Sequence, residues 1–236
     1  MERPEAMPPH DKNRSERDKL RELDFKGKLE YIWEYYKLII IGAVIALVII
    51  GSLVNTYYFN PQPATALFIA WNAGYIFDEE INALTDALEE RLIEEGENSR
   101  VIVSHFSTSY DEAPVMMANA ERLVAMLAAG SIDVFIVGRE LLQDYSYGEY
   151  LLPMEGLLAE LKSNHPAVYG RIEERFTYAL YGQEEGNVTE YIMGVSLAES
   201  PLFSGIGFYQ QELYFAVAAS TRNYENVINA LIVFFE

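Results

Sequence analysis

Hydrophobic and polar positions change rhythm several times along this chain. Residues 1–16 mix Pro with charged side chains and show no apolar period, so disorder is predicted there. From Asp18, Leu20, Leu23, Leu29, Ile32, Trp33 and Tyr36 recur at near-helical spacing, interrupted by Gly27. That pattern predicts an amphipathic helical lead-in. Residues 38–54, LIIIGAVIALVIIGSLV, contain no charge. At 1.5 Å per residue they cover about 26 Å, against a hydrocarbon core of ~30 Å. Trp33, Tyr35 and Tyr36 before the run and Tyr57, Tyr58 and Phe59 after it match interfacial aromatic belts. A transmembrane helix is therefore predicted over 37–59. It is expected to be retained, since a long mixed-charge segment precedes it and no A-x-A cleavage site follows.

After a stiff linker at 60–65, which holds Pro61 and Pro63, the pattern alternates. ALFIAWNA (66–73) is a continuous apolar run of strand length. Phe77, Ile81, Leu84, Leu88 and Leu92 form a helical stripe that ends at Gly96. VIVSHF (101–106) predicts a second strand. Met116, Ala120, Leu123, Val124 and Leu127 predict a second helix closed by Gly130, and DVFIVG (133–138) a third strand. Strands without polar alternation are usually covered on both faces, as in parallel sheets. The spacing further predicts a short helix within 151–162, one helix over 166–181, strands at 189–198 and 212–220, and a final helix capped by Asn223. The fold class expected is α/β: an open, mostly parallel sheet flanked by helices, preceded by one transmembrane helix. Residues 1–36 form the tail, and 66–236 form a single domain.

Charge sets the orientation. Lys26, Lys28 and Lys37 precede the span, and no Lys or Arg follows it until Arg91. The positive-inside rule puts the N-terminus in the cytoplasm and the domain outside the cell membrane. Residues 55–236 carry 27 Asp/Glu against eight Lys/Arg, which excludes nucleic acid as a partner. Cysteine is absent, which excludes disulfides, thiolate chemistry and Cys-based metal sites.

Three stretches carry a family resemblance. AAGSIDVFIVG (128–138) reads as a helix end leading through Asp133 into a buried strand; YGEYLLPMEGLL (147–158) follows; VAASTRNYENVINALIVFFE (217–236) reads as strand, polar turn and helix. Together they resemble extracellular (periplasmic-type) solute-binding proteins. The family's second lobe is far longer than the segment separating the matching parts, so the resemblance implies one lobe with a short insert. KGKLEYIWEYYKLIIIG (26–42) resembles the juxtamembrane start of single-pass proteins of Gram-positive bacteria.

Open α/β sheets bind ligands beyond the carboxyl ends of their strands. Candidate ligand-binding residues are Trp71, Asn72 and Tyr75 after the first strand, Ser107, Thr108 and Ser109 after the second, and Arg139 after the third. The plainer alternative is that they are ordinary polar loop residues. No catalytic site is expected: His105 reads as a packed strand residue, no His pair has metal spacing, and GVSLA (194–198) lacks the second glycine of a nucleophile elbow. No cofactor or metal is called for. The expected role is a membrane-anchored binding or scaffolding domain whose partners are the membrane and another membrane or cell-envelope protein. The alternative is a truncated solute-binding receptor for a small molecule or peptide.

Overall fold

The computed structural model describes residues 24–106, 113–182, 189–205 and 212–236. The chain divides into two compact units, 1–62 and 63–236. In the first, helix α1 spans Phe25–Val54 without a break at Gly27. Asp24 caps it, its Oδ1 accepting from the Lys26 N–H. The helix widens into a π-helical turn at Asn55–Phe59, closed where the Asn60 N–H donates to the Asn55 carbonyl at 2.9 Å. Tyr36–Phe59 is long and apolar enough to cross a membrane, and none of it is buried. Its 24 residues would reach about 36 Å at α-helical rise, more than the ~30 Å hydrocarbon core.

The second unit is a six-stranded sheet with helices on both faces. Its elements are β1 (Ala64–Asn72), α2 (Asp78–Leu92), β2 (Ser99–His105), α3 (Ala113–Ala128), β3 (Val134–Gly138) and α4 (Arg139–Tyr147). They continue with α5 (Glu155–Asn164), α6 (Pro166–Ile172), β4 (Phe176–Tyr181), β5 (Thr189–Ser196), α7 (Pro201–Gly205), β6 (Leu213–Val217) and α8 (Tyr224–Phe235). The strand order is β2-β1-β3-β6-β5-β4.

Strands β2, β1 and β3 are parallel, with Trp71 level with His105 on one side and Ile136 on the other. The chain goes from β1 to one neighbour and then crosses back to the other. Right-handed crossovers in opposite directions put their helices on opposite faces. Accordingly Leu84 and Leu88 of α2 pack with Leu67, Ile69 and Trp71, whereas Leu123, Met126 and Leu127 of α3 pack with Phe68, Ala70 and Phe135. Helix α3 ends in a Schellman arrangement: Ser131 N–H donates to the Met126 carbonyl and Gly130 N–H to the Leu127 carbonyl, with Gly130 at φ +65.

The expectation of a mostly parallel sheet does not extend past β3. Strands β3, β6, β5 and β4 are joined by antiparallel pairings. LYFAV of β6 is buried throughout because helices cover both faces of a central strand. A continuous apolar run reports such coverage and says nothing of strand direction. Helix α8 supplies much of one layer, with Phe234 set edge-on against Phe203 and Phe215.

Two further differences are local. The single helix expected over 166–181 stops at Ile172; a 3₁₀ turn, Glu173–Arg175, leads into β4. FTYALY alternates, with Ala179 buried between exposed Tyr178 and Leu180, and the edge of the sheet selects that period of two. Asn223 makes no capping bond to α8; its Nδ2 donates instead to the Ala66 carbonyl, joined by Asn226 at 2.8 Å.

The amino-terminal end of β3 is tied by Asp133, which is 8% exposed. Its Oδ2 accepts from the Phe68 N–H at 2.9 Å and its Oδ1 from the Thr221 hydroxyl at 2.6 Å. Its backbone N–H donates to the Phe68 carbonyl, and its carbonyl accepts from Ala218 N–H. One residue thus joins β1, β3 and the segment after β6.

Candidate functional site

In an open α/β sheet, the fork where successive crossovers part is a natural ligand crevice. Here it lies at the carboxyl ends of β1 and β3. A cavity of about 510 Å³ opens there, lined by Asn72, Ala73, Gly74, Gly138, Arg139, Glu140, Leu141 and Glu212.

Sheet topology assembles it. Asn72 closes β1 level with Val137 of β3. At Gly138, β3 passes directly into α4, whose N-terminus has no side-chain cap. Strand β6 runs antiparallel to β3 with Leu213 level with Gly138, so Glu212, at the entry to β6, comes to the same end.

Asn72 is 5% exposed and lies in the floor of the cavity. Its Nδ2 donates to the Tyr145 Oη at 2.5 Å, and its Oδ1 has no hydrogen-bond partner. Such an unmet buried acceptor costs about 1–3 kcal/mol. Burial, above all, raises the Tyr145 hydroxyl above the ordinary phenol value.

The rim is ionic. The Arg139 Nε donates to Glu212 Oε2 at 3.1 Å, and the Tyr214 hydroxyl donates to the same oxygen at 3.0 Å. The Arg139 guanidinium also lies 5.2 Å from the centre of the Tyr214 ring. The hydrogen bond from Arg139, then that from Tyr214, holds the Glu212 carboxyl below its usual value. Burial first, then the bond to Glu212, raises the Tyr214 hydroxyl.

Of the residues named from sequence, Asn72 and Arg139 meet in this cavity. Trp71 lies in the core of the opposite face, 1% exposed, with its Nε1 donating to the Gly74 carbonyl at 3.1 Å. Tyr75 is exposed, edge-on to Phe77 and His105. Burial lowers the His105 imidazole below its ordinary value. Ser107, Thr108 and Ser109 lie outside the described residues. Sequence reasoning missed Glu212, Tyr214, Glu140 and Tyr145. Glu212 escaped because it precedes its strand, and only an antiparallel strand brings its entry to the carboxyl ends of its neighbours. Among the described residues no group of three or more His, Asp or Glu is placed to hold a metal ion.

A second cavity, about 750 Å³, lies at the other end of the strands, lined by Thr65, Ser99, Gly130, Asp133 and Asn223 among others. Its buried polar side chains already have partners in the Asp133 and Ala66 hydrogen bonds.

No family model matches the chain, and no curated protein matches it. Among solved structures it is similar to an extracellular solute-binding protein family 1 from Alicyclobacillus acidocaldarius subsp. acidocaldarius DSM 446, at 16% identity and a TM-score of 0.30. That likeness covers 58% of this chain and 28% of the other, so the chain spans well under half the length of that protein.

Proposed function

We propose that the chain is a membrane-anchored extracytoplasmic binding module without catalytic activity, and that the cavity between β1, β3 and β6 is its solute site. The observation that carries the reading is Asn72: a nearly buried amide with one polar atom unmet, in the floor of a cavity at the fork of the sheet. On the rim of the same cavity Arg139 and Glu212 offer a solute hydrogen-bond donors and a carboxylate acceptor. The long unburied apolar helix supports anchorage, and the lysines that precede it support an extracytoplasmic domain.

The test is thermal unfolding of the full chain in lipid nanodiscs against sugars, amino acids, short peptides and inorganic anions. A solute that binds the folded state raises the transition by an amount that grows with the logarithm of its concentration relative to Kd. The reading requires at least one class to do so and the effect to vanish in Arg139→Gln. If no class shifts the transition, the solute-site reading is wrong.

A second reading, a scaffold for another envelope protein, has its own support in α3. Met117 and Val124 are more than 60% exposed on its outer face, while Leu123, Met126 and Leu127 face the sheet. Crosslinking from positions 117 and 124 in native membranes tests it; capture of lipid alone would count against it.

A further inference from the structure

Strand β4 ends the order β2-β1-β3-β6-β5-β4, so one side of its backbone has no strand beside it. The pairing with β5 shows which residues face that open side. In an antiparallel pair, two opposite residues either exchange both backbone bonds or turn both outward. Ile192 stands opposite Tyr178, and it turns away from β4: its N–H donates to Glu155 Oε1 and its carbonyl accepts from the Met154 N–H, each at 2.8 Å. Tyr178 therefore points its own N–H and carbonyl to the open side. Phe176 and Leu180, two residues either way, do the same. The Leu180 carbonyl accepts there from the Ser146 hydroxyl at 2.8 Å.

Open edges are usually guarded by charge, Pro or a bulge. FTYALY has neither charge nor Pro. The register shift between Thr177 and Tyr178 puts its extra residue, Met193, on β5 and leaves β4 regular. The Tyr178 and Leu180 side chains are 56% and 52% exposed, and Tyr147, next to Ser146, is exposed as well.

We propose that β4 pairs with β4 of a second copy of this chain, antiparallel and centred on Tyr178, so that two sheets become one. A two-fold axis at Tyr178 sets that residue opposite itself and Phe176 opposite Leu180. All three outward-facing residues then find a bonded partner, the Leu180 carbonyl through its second lone pair. A slip of two residues either way leaves Phe176 or Leu180 beyond the ladder. Charge favours the same register. The region after the span carries 27 Asp/Glu against eight Lys/Arg, so two copies repel wherever carboxylates meet. Centred on Tyr178, Glu174 comes opposite Gly182 and Arg175 opposite Tyr181, and the six residues between are uncharged. The interface is small, so the pair is weak in dilute solution and fills where a shared membrane concentrates the chain. That last clause rests on the anchorage proposed above; the pairing itself is independent of the solute site.

The experiment is disulfide crosslinking of the full chain in native membranes, which the absence of cysteine makes clean. Opposite residues of a bonded pair lie about 5.5 Å apart at Cα, within the span of a disulfide. Tyr178→Cys should give, on mild oxidation, a product at twice the chain mass of 26.9 kDa, at least about tenfold faster than Asp86→Cys on α2. Phe176→Cys and Leu180→Cys should each fail alone, because each residue lies ~13 Å along the ladder from its counterpart, and should crosslink when the two variants are coexpressed. Circular dichroism confirms that the variants fold, and alkaline extraction of the same membranes checks anchorage separately. Crosslinking of Tyr178→Cys no faster than that of Asp86→Cys overturns the proposal. Equal yields from Phe176→Cys, Tyr178→Cys and Leu180→Cys alone overturn it too, since they report collision without register. An adduct of another mass gives the edge to a different protein and also overturns it.

Discussion

The two ends of the β1–β3 pair place a short polar side chain in nearly the same situation and treat it differently. Asp133 at the entry end is 8% exposed and Asn72 at the exit end 5%. Asp133 accepts from a backbone N–H and a hydroxyl, and its own backbone joins two strands. Asn72 makes one bond and leaves an acceptor unmet beside a cavity. A satisfied buried group stabilises the fold, whereas an unsatisfied one, such as Asn72 Oδ1 or Ser220 Oγ, weakens it. On that contrast, the entry end is a structural tie, and the exit end holds the solute site proposed above.

The contrast can be broken at either end. The largest effect is expected at Asp133. Asp133→Ala removes the acceptor of the Phe68 N–H and of the Thr221 hydroxyl proton, and should lower unfolding free energy by about 3 kcal/mol in urea titration. Solute affinity of the molecules that remain folded should not change. A loss of affinity with unchanged stability would reverse the roles assigned to the two ends.

Asn72→Val comes next. It removes the unmet acceptor together with one good bond, so its stability cost should stay near 1 kcal/mol, well under that of Asp133→Ala. Solute binding should disappear from the calorimetric trace. A cost matching that of Asp133→Ala would mean Asn72 is as structural as its counterpart.

Tyr145 sharpens the comparison through pH. Its folded hydroxyl pKa is raised from the ordinary value of 10.0, first by desolvation. The neutral form is the one the fold favours, so the stabilisation is complete below pH 10 and is lost as pH rises through the higher folded value. Tyr145→Phe should flatten the decline of stability above pH 10. An unchanged alkaline decline would assign it to other tyrosines, Tyr214 among them, which is raised for the same leading reason.

The smallest effect is expected at the rim. Glu212 titrates below the usual 4.5 because Arg139, and then Tyr214, donate to it. Its stabilisation is present above that value and is lost as pH falls through the lower folded one. In Arg139→Gln the carboxyl should titrate closer to 4.5 by NMR, with little change in melting temperature, since both side chains are exposed.

Much of the first half was legible along the chain because its order is local. The run at 66–73, the stripe of Phe77, Ile81, Leu84 and Leu88, and Gly130 at a helix end all encode elements through nearest neighbours. The apolar run at 38–54 stood out by length alone. The rest was decided elsewhere. Phe176 and Leu180 sit four apart, which suits a helix, and pairing with Val195 and Glu190 of β5 made them a strand. Asn223 looked like a cap, and β1 took its side chain as a partner for the Ala66 carbonyl. Of the candidate site, Asn72 and Arg139 were visible because residues that follow parallel strands share an end.

The sequence by itself determined the elements of the βαβαβ half, a helix long and apolar enough for a bilayer, and the lopsided distribution of charge. Each depends on composition or on periods a few residues long. The tertiary structure alone decided that β6 enters antiparallel between β3 and β5, and so that Glu212 faces Arg139 across a cavity floored by Asn72. Strand direction is set by long-range backbone pairing, and a strand buried on both faces looks the same along the chain whichever way it runs.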